Sequence, residues 1–361
     1  MTDQTTSSAQ SHDQSDDLSD QQKLEAIVSA YLAEKLESDG PVTISGMTRI
    51  AVGWSHETWL FDAIWRQGGS EQQQGLCLRR DPGNALLRHE SDLGQQYRVL
   101  KCLEATDVPA PQVFWYEPDA AALGAPALIM ERVPGECPSP WRKAGREFYA
   151  AAADRGVLPE SFTDALAAIH NADWKAVGLD FLGVPGSGAS FAESEIAKWQ
   201  GLIEDSGHPG HPILTDLIGW LKANAPTTER LTLVHGAFRT GNVLIDDDRV
   251  SAVLDWELQV IGDPMYDVAY MLTELNREGT ELLSNVVPRE LFFERYEAAT
   301  GITIDEDRCR YYQLLYAMRS AAFWMSAAGL YADGSNTDLR LARTEWSVTV
   351  ALERAAQELG Y

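Results

Sequence analysis

His235, Asn242 and Asp255 are the residues whose types and spacing could do chemistry in this chain. They lie in the run from Val234 to Asp246 and in the Asp255-Trp256-Glu257 triplet, with Gly262-Asp263-Pro264 and Asp267 just beyond. A His, an Asn seven residues on and an Asp thirteen beyond that reproduce the spacing of a phosphoryl-transfer loop followed by its metal-binding Asp. Two residues after the His, such a loop places an Asp that orients or deprotonates the attacking hydroxyl. Here that position is Ala237.

Phosphoryl transfer needs a cradle for the triphosphate, a cation on it, one or two Mg²⁺ ions and an aligned nucleophile. Asn242 and Asp255 are the candidate metal ligands, because Mg²⁺ prefers hard oxygen donors and takes only one or two from protein. Taken singly, Asn242 reads as a turn residue after Gly241 and Asp255 as a strand-end cap. Their joint spacing favours the metal. His235 reads as structural, holding the loop by hydrogen bonds. Arg239 and Asp263 are expected to pair with loop backbone, and Asp267 to cap a helix starting near Met265.

Ala237 offers no proton acceptor, which costs on the order of 10²–10⁴ in rate where a general base is lost. Three explanations are open. The Asp has been removed from a working site; the chain is a nucleotide-binding scaffold; or Asp263 or Glu257 supplies the carboxylate. The intact metal pair favours a phosphotransferase design in impaired form.

The elements that must position these residues follow from the hydrophobic pattern. Apolar residues at Leu24, Ile27, Val28, Tyr31 and Leu32 keep helical spacing. Short β-like runs follow at 44–50, 59–65, 76–80, 113–116 and 127–131, with one helical stretch over 90–103. Beyond Val133-Pro134-Gly135, helical patterns dominate at 146–155, 159–171, 191–204, 211–224, 265–276, 289–299, 305–329 and 337–359. Brief strands interrupt them at 231–234, 243–245 and 252–254. The domain reading is an acidic disordered tail over 1–20, a β-rich N-lobe over 21–133 and a mainly helical C-lobe over 134–361.

Composition sets outer limits. With 361 residues, 45% of them hydrophobic, the chain is too long for one compact core. The net charge of −25 argues against nucleic acid, because a polyanion would be repelled over most of the surface. No apolar run approaches the ~20 residues that span a bilayer, and the polar start is unlike a secretory signal. The cysteines Cys77, Cys102, Cys137 and Cys309 lack metal-ligand spacing and read as reduced thiols of a cytoplasmic protein. Oligomeric state is not legible.

Together, the stretch from His235 to Asn242, Asp255, Gly262-Asp263-Pro264 and the segments around Arg79, Tyr97 and Met130 resemble the aminoglycoside phosphotransferase-like family, over roughly residues 40–345. That family is a branch of the protein-kinase-like fold. The pattern is similar to bacterial kinases of small-molecule alcohols and to the kinase-like domain fused to some acyl-CoA dehydrogenases, where the substrate is a hydroxyacyl thioester. The resemblance implies an α+β bilobal fold, ATP and Mg²⁺ as cofactors, and a small-molecule hydroxyl as acceptor. It implies that Arg79 grips phosphate in place of the usual Lys, and that the helical partner, normally Glu, is here Gln96, or else Glu90. It places the phosphate-covering loop at residues 53–58, where Ser55 and Thr58 hydroxyls add to backbone N–H groups. The hinge along the adenine edge falls at Met130, Glu131 and Val133. An aminoglycoside-type antibiotic kinase and a non-catalytic nucleotide-binding protein are the rival functions.

Overall fold

The computed structural model describes residues 13–50, 56–83, 92–186, 190–277 and 279–361. The fold is α+β and bilobal, with a small N-terminal sheet lobe and a larger helical C-terminal lobe. The chain divides into two compact units, one of residues 1–85 and 113–132, the other of residues 86–112 and 133–361. The segment 86–112, expected in the N-lobe, thus groups with the second unit. Contacts distant in sequence hold it there: Val253 N–H donates to Pro109 O at 2.6 Å, and Arg98 stacks on Phe181 at 3.6 Å.

The first unit is built on β1 (Thr43–Ile50), β2 (Glu57–Gln67), β3 (Ser70–Arg80), β4 (Val113–Glu117) and β5 (Ala127–Glu131), in the antiparallel order β1-β2-β3-β5-β4. Alternation along β2 buries Trp59, Phe61 and Ala63 on one face. Helix α1 (Asp13–Lys35) lays Leu24, Val28 and Leu32 into the same apolar cluster, a one-sided stripe of helical period. The helix begins at Asp13, inside the stretch expected to be a disordered tail.

The second unit carries α2 (Leu93–Leu103), and the short α3 (Ala120–Leu123) belongs to the first. Helices α4 (Lys143–Asp154), α5 (Val157–Asn171), α6 (Ser190–Asp205) and α7 (Pro212–Ala223) precede two small antiparallel ribbons. One pairs β6 (Thr232–Val234) with β9 (Val260–Gly262), the other β7 (Val243–Asp246) with β8 (Arg249–Val253). Then come α8 (Met265–Leu272), α9 (Glu274–Arg277), α10 (Arg289–Thr300), the long α11 (Glu306–Ala332) and α12 (Thr344–Leu359). The turn of α11 is set by Asp305, whose side chain accepts from Arg308 N–H at 3.0 Å. Among the described residues no helix is long and apolar enough to cross a membrane.

Candidate active site

Two loops of the second unit carry the candidate metal ligands. Residues 235–242 connect β6 to β7, and residues 254–259 connect β8 to β9. Because β7 and β8 pair with Val243 opposite Val253, the residues at their ends come out side by side. Leu254 N–H donates to Asn242 O at 2.8 Å. The Asn242 side chain, 5% exposed, directs Nδ2 to Asp255 Oδ2 at 3.2 Å and to Ala237 O at 2.8 Å. Both amide hydrogens are thereby used, which leaves Oδ1 as the ligating atom. Asp255 has φ +68°, the left-handed region that Asp tolerates better than most residues.

The residues present fit a magnesium ion. One amide oxygen and one carboxylate, brought together by the 3.2 Å contact of Asn242 Nδ2 with Asp255 Oδ2, are hard donors of the right kind. A protein contribution of two oxygens, the remainder coming from phosphates and water, is how Mg²⁺ is ordinarily held.

The loop is fixed mainly by a carboxylate assigned differently from the sequence. Asp267 is fully buried; its Oδ2 accepts from His235 N–H at 2.7 Å and its Oδ1 from Gly236 N–H at 2.8 Å. It grips the loop, and the helix start belongs to Asp263, whose Oδ1 accepts from Met265 N–H at 2.9 Å. The expected roles are exchanged. The other oxygen of Asp263 is engaged by Thr228 Oγ1 and Tyr312 OH, both at 3.1 Å, and faces Arg308 Nη1 at 3.4 Å. Burial raises the Asp263 carboxyl above the usual carboxylate range against these partners. Fully enclosed and committed to these partners, Asp263 is not placed to accept a proton from a substrate. Glu257 is half-buried.

His235 is structural in the manner expected. Its Nε2 faces Leu254 O at 2.8 Å and its Nδ1 accepts from Ala237 N–H at 3.2 Å, so the neutral Nε2–H tautomer fits both bonds. Burial lowers its pKa, opposed by Asp267. Below the ordinary value of 6.5 the unfolded chain therefore binds more protons than the folded one, and stability falls as pH drops through that value toward the lowered one. Melting temperature followed from about pH 7.5 to about pH 5 should decline more steeply for the natural chain than for His235→Asn. Parallel curves would remove His235 from the account.

Ala237 is buried, 5% exposed, and the preceding Gly236 has φ +82°. A Cβ at Gly236 would stand 2.4 Å from Leu258 O, so no other residue fits between the two loops. Phe238 anchors the loop from below, its ring 4.6 Å from that of Phe162 on α5. Among the described residues, the Arg239 side chain makes no hydrogen bond to loop backbone, contrary to expectation. Its guanidinium stacks on the Trp141 ring at 4.3 Å and lies over Gly241, where a Cβ would meet Nη1 at 1.9 Å. Glycine at 241 thus admits the arginine.

The nucleotide-covering candidates of the first unit sit on its sheet. Thr58 and Arg79 are cross-strand partners on β2 and β3, and Arg79 Nη2 lies 3.1 Å from His56 Nδ1. Sequence reasoning misses His56; its place next to the β2 start is the signal that could have suggested it. Met130 and Glu131 end β5, opposite Cys77 and Leu76. Val133 opens the second segment of the other unit, and Gln96, buried on α2, lies within that unit's first segment. Ser55, the loop residues 53–55 and Glu90 lie outside the described residues.

The phosphotransferase enzyme family model matches residues 46–312. Among curated proteins, mouse acyl-CoA dehydrogenase family member 10 is 32% identical over 197 residues, covering 54% of this chain and 18% of that protein. Rat acyl-CoA dehydrogenase family member 11 is 29% identical over 247 residues, 67% of this chain and 30% of that protein. The chain therefore spans less than a third of these relatives. Among solved structures, a candidate aminoglycoside phosphotransferase from Ralstonia eutropha superimposes with TM-score 0.66 at 22% identity, over 92% of this chain and 97% of that one. A thermostable mutant of aminoglycoside phosphotransferase APH(4)-Ia, in ternary complex with AMP-PNP and hygromycin B, gives TM-score 0.57 at 19% identity, over 92% and 98%.

Proposed function

The chain belongs to the phosphotransferase enzyme family, and from that premise we propose a site for ATP- and Mg²⁺-dependent phosphorylation of a small-molecule hydroxyl, impaired here by Ala237. The observation that carries the reading is the 3.2 Å approach of the Asn242 amide to the Asp255 carboxylate. Asn242 Oδ1 and the Asp255 carboxylate would hold the ion. The chemistry a magnesium ion held there would supply is neutralisation of phosphate charge. Arg239, immobilised between Trp141 and Gly241, presents a fixed cation beside the loop, and Arg79 is the phosphate-gripping cation of the first unit. With a methyl group at 237, the loop has no side chain to take the acceptor's proton.

For the acceptor we propose an acyl thioester bearing a hydroxyl, supported by relatives that carry acyl-CoA dehydrogenase names. The similarity to Escherichia coli hygromycin-B 4-O-kinase, 32% identical but over only 22% of this chain, supports an antibiotic acceptor less. Ala237 itself favours one further reading, a scaffold that binds nucleotide without turnover.

Titration calorimetry of the full chain with ATP is expected to show binding tightened by Mg²⁺ about tenfold or more, a difference of about 1.4 kcal/mol. Asp255→Ala should lose that tightening. Nucleotide binding indifferent to Mg²⁺, or tightening that survives Asp255→Ala, would overturn the metal assignment. A thermal-shift panel then sorts acceptors, since only a true acceptor adds stabilisation beyond nucleotide.

A further inference from the structure

Arg319 lies in the middle of α11, far from any solvent-facing role. It is 9% exposed and has no ion pair among the described residues. Its guanidinium is surrounded by the rings of Tyr316, Trp199 and Tyr270, with centroids at 5.0, 5.4 and 5.7 Å. The nearest compensation is one step removed: Glu195 Oε2 accepts from Trp199 Nε1 and Tyr266 OH, each at 3.0 Å. A buried cation with aromatic faces and no carboxylate adds little to stability, and an apolar side chain of similar volume would pack there at lower cost.

What the guanidinium does touch is the catalytic loop. Arg319 Nη1 donates to Gly236 O, joined by Tyr316 OH at 3.4 Å. That carbonyl belongs to the same peptide plane as Ala237 N–H, which His235 Nδ1 accepts at 3.2 Å. The plane is thus held at both ends, while Asp267 holds the two N–H groups before it. Turning that plane would swing Ala237, and Ala237 O is the acceptor that orients Asn242 Nδ2.

We propose that Arg319 is a positioning residue: seated in its aromatic box, it locks the Gly236–Ala237 peptide and, through Ala237 O, the Asn242 amide that would face the metal. The inference rests on the metal reading of Asn242 and Asp255. It gives α11 a task beyond packing, because motion of this helix would be felt at the loop through the two hydrogen bonds to Gly236 O.

The test compares nucleotide affinity of the full chain with and without Mg²⁺ in Arg319→Met and Arg319→Lys. Arg319→Met should lose about tenfold of the Mg²⁺-dependent tightening, the scale of one hydrogen bond to a charged group, and leave Mg²⁺-free affinity unchanged. Arg319→Lys keeps the charge without the planar fork and should fall between. Unchanged tightening in a folded Arg319→Met chain, or equal loss with and without Mg²⁺, overturns the proposal. Should Arg319→Met fail to fold, Arg319→Lys carries the test, and tightening equal to that of the natural chain overturns it. If the natural chain shows no Mg²⁺-dependent tightening, the metal reading itself falls, and this inference with it.

Discussion

Ala237→Asp should raise phosphotransfer turnover about 10²–10⁴-fold, the usual contribution of a positioned general base. The loop is already arranged to receive the carboxylate. Gly236 and Ala237 N–H groups are bonded, and Ala237 O holds Asn242, so the substitution adds an acceptor without asking the backbone to move. The new carboxylate would lie on the same loop as Asn242, whose amide meets Asp255, and charge repulsion with Asp255 would be relieved by a divalent cation. Stability of Ala237→Asp should therefore depend on Mg²⁺ more than that of the natural chain. The measurement is ATP consumption and acceptor phosphorylation against hydroxyacyl thioesters, simple alcohols and aminoglycosides. Nucleotide affinity should change little. A folded Ala237→Asp chain that binds Mg²⁺–ATP yet phosphorylates none of them would turn the interpretation toward a nucleotide-binding scaffold.

The second large effect concerns stability. Asp267→Ala should cost about 3–5 kcal/mol, the range for removing one partner of a buried charged network. The carboxylate satisfies His235 N–H and Gly236 N–H, and His170 Nε2 stands 3.2 Å from it. His170 in turn reaches Tyr296 OH through Nδ1. Three helices, α5, α8 and α10, thus meet the loop through one side chain. With Ala at 267, two buried backbone donors lose their acceptor. Asp267→Asn keeps one acceptor oxygen and should lose roughly half as much. Chemical denaturation of the full chain measures both, and a loss below about 1 kcal/mol for Asp267→Ala would show that the grip is dispensable.

Element positions were legible where local periodicity was strong. The helices expected at 159–171 and 289–299 are α5 (Val157–Asn171) and α10 (Arg289–Thr300), and the strands at 113–116 and 127–131 are β4 and β5. Strand β9, of three residues, is defined by its pairing with β6, which local alternation does not show. The roles of Asp263 and Asp267 cannot be told apart in the sequence, because two acids four positions apart at a helix start have the same local credentials. Only the packing of β6 against β9 and α8 decides which one meets the loop. Arg319 does carry a sequence signal, as the sole charged residue between Arg310 and Asp333.

The amino-acid sequence by itself determined the chemistry on offer: the His235, Asn242 and Asp255 spacing, the methyl at 237 and the division into sheet-rich and helical parts. These are properties of short stretches, set by chain connectivity and by the periodicity of backbone hydrogen bonding. Tertiary structure alone decided the partners: Asp267 for the loop N–H groups, Arg319 for the Gly236 carbonyl, Trp141 and Gly241 for Arg239, His56 for Arg79. Such pairings depend on which faces of elements far apart in the chain come together. A buried donor takes whichever acceptor folding brings within about 3 Å, and sequence distance carries no record of that.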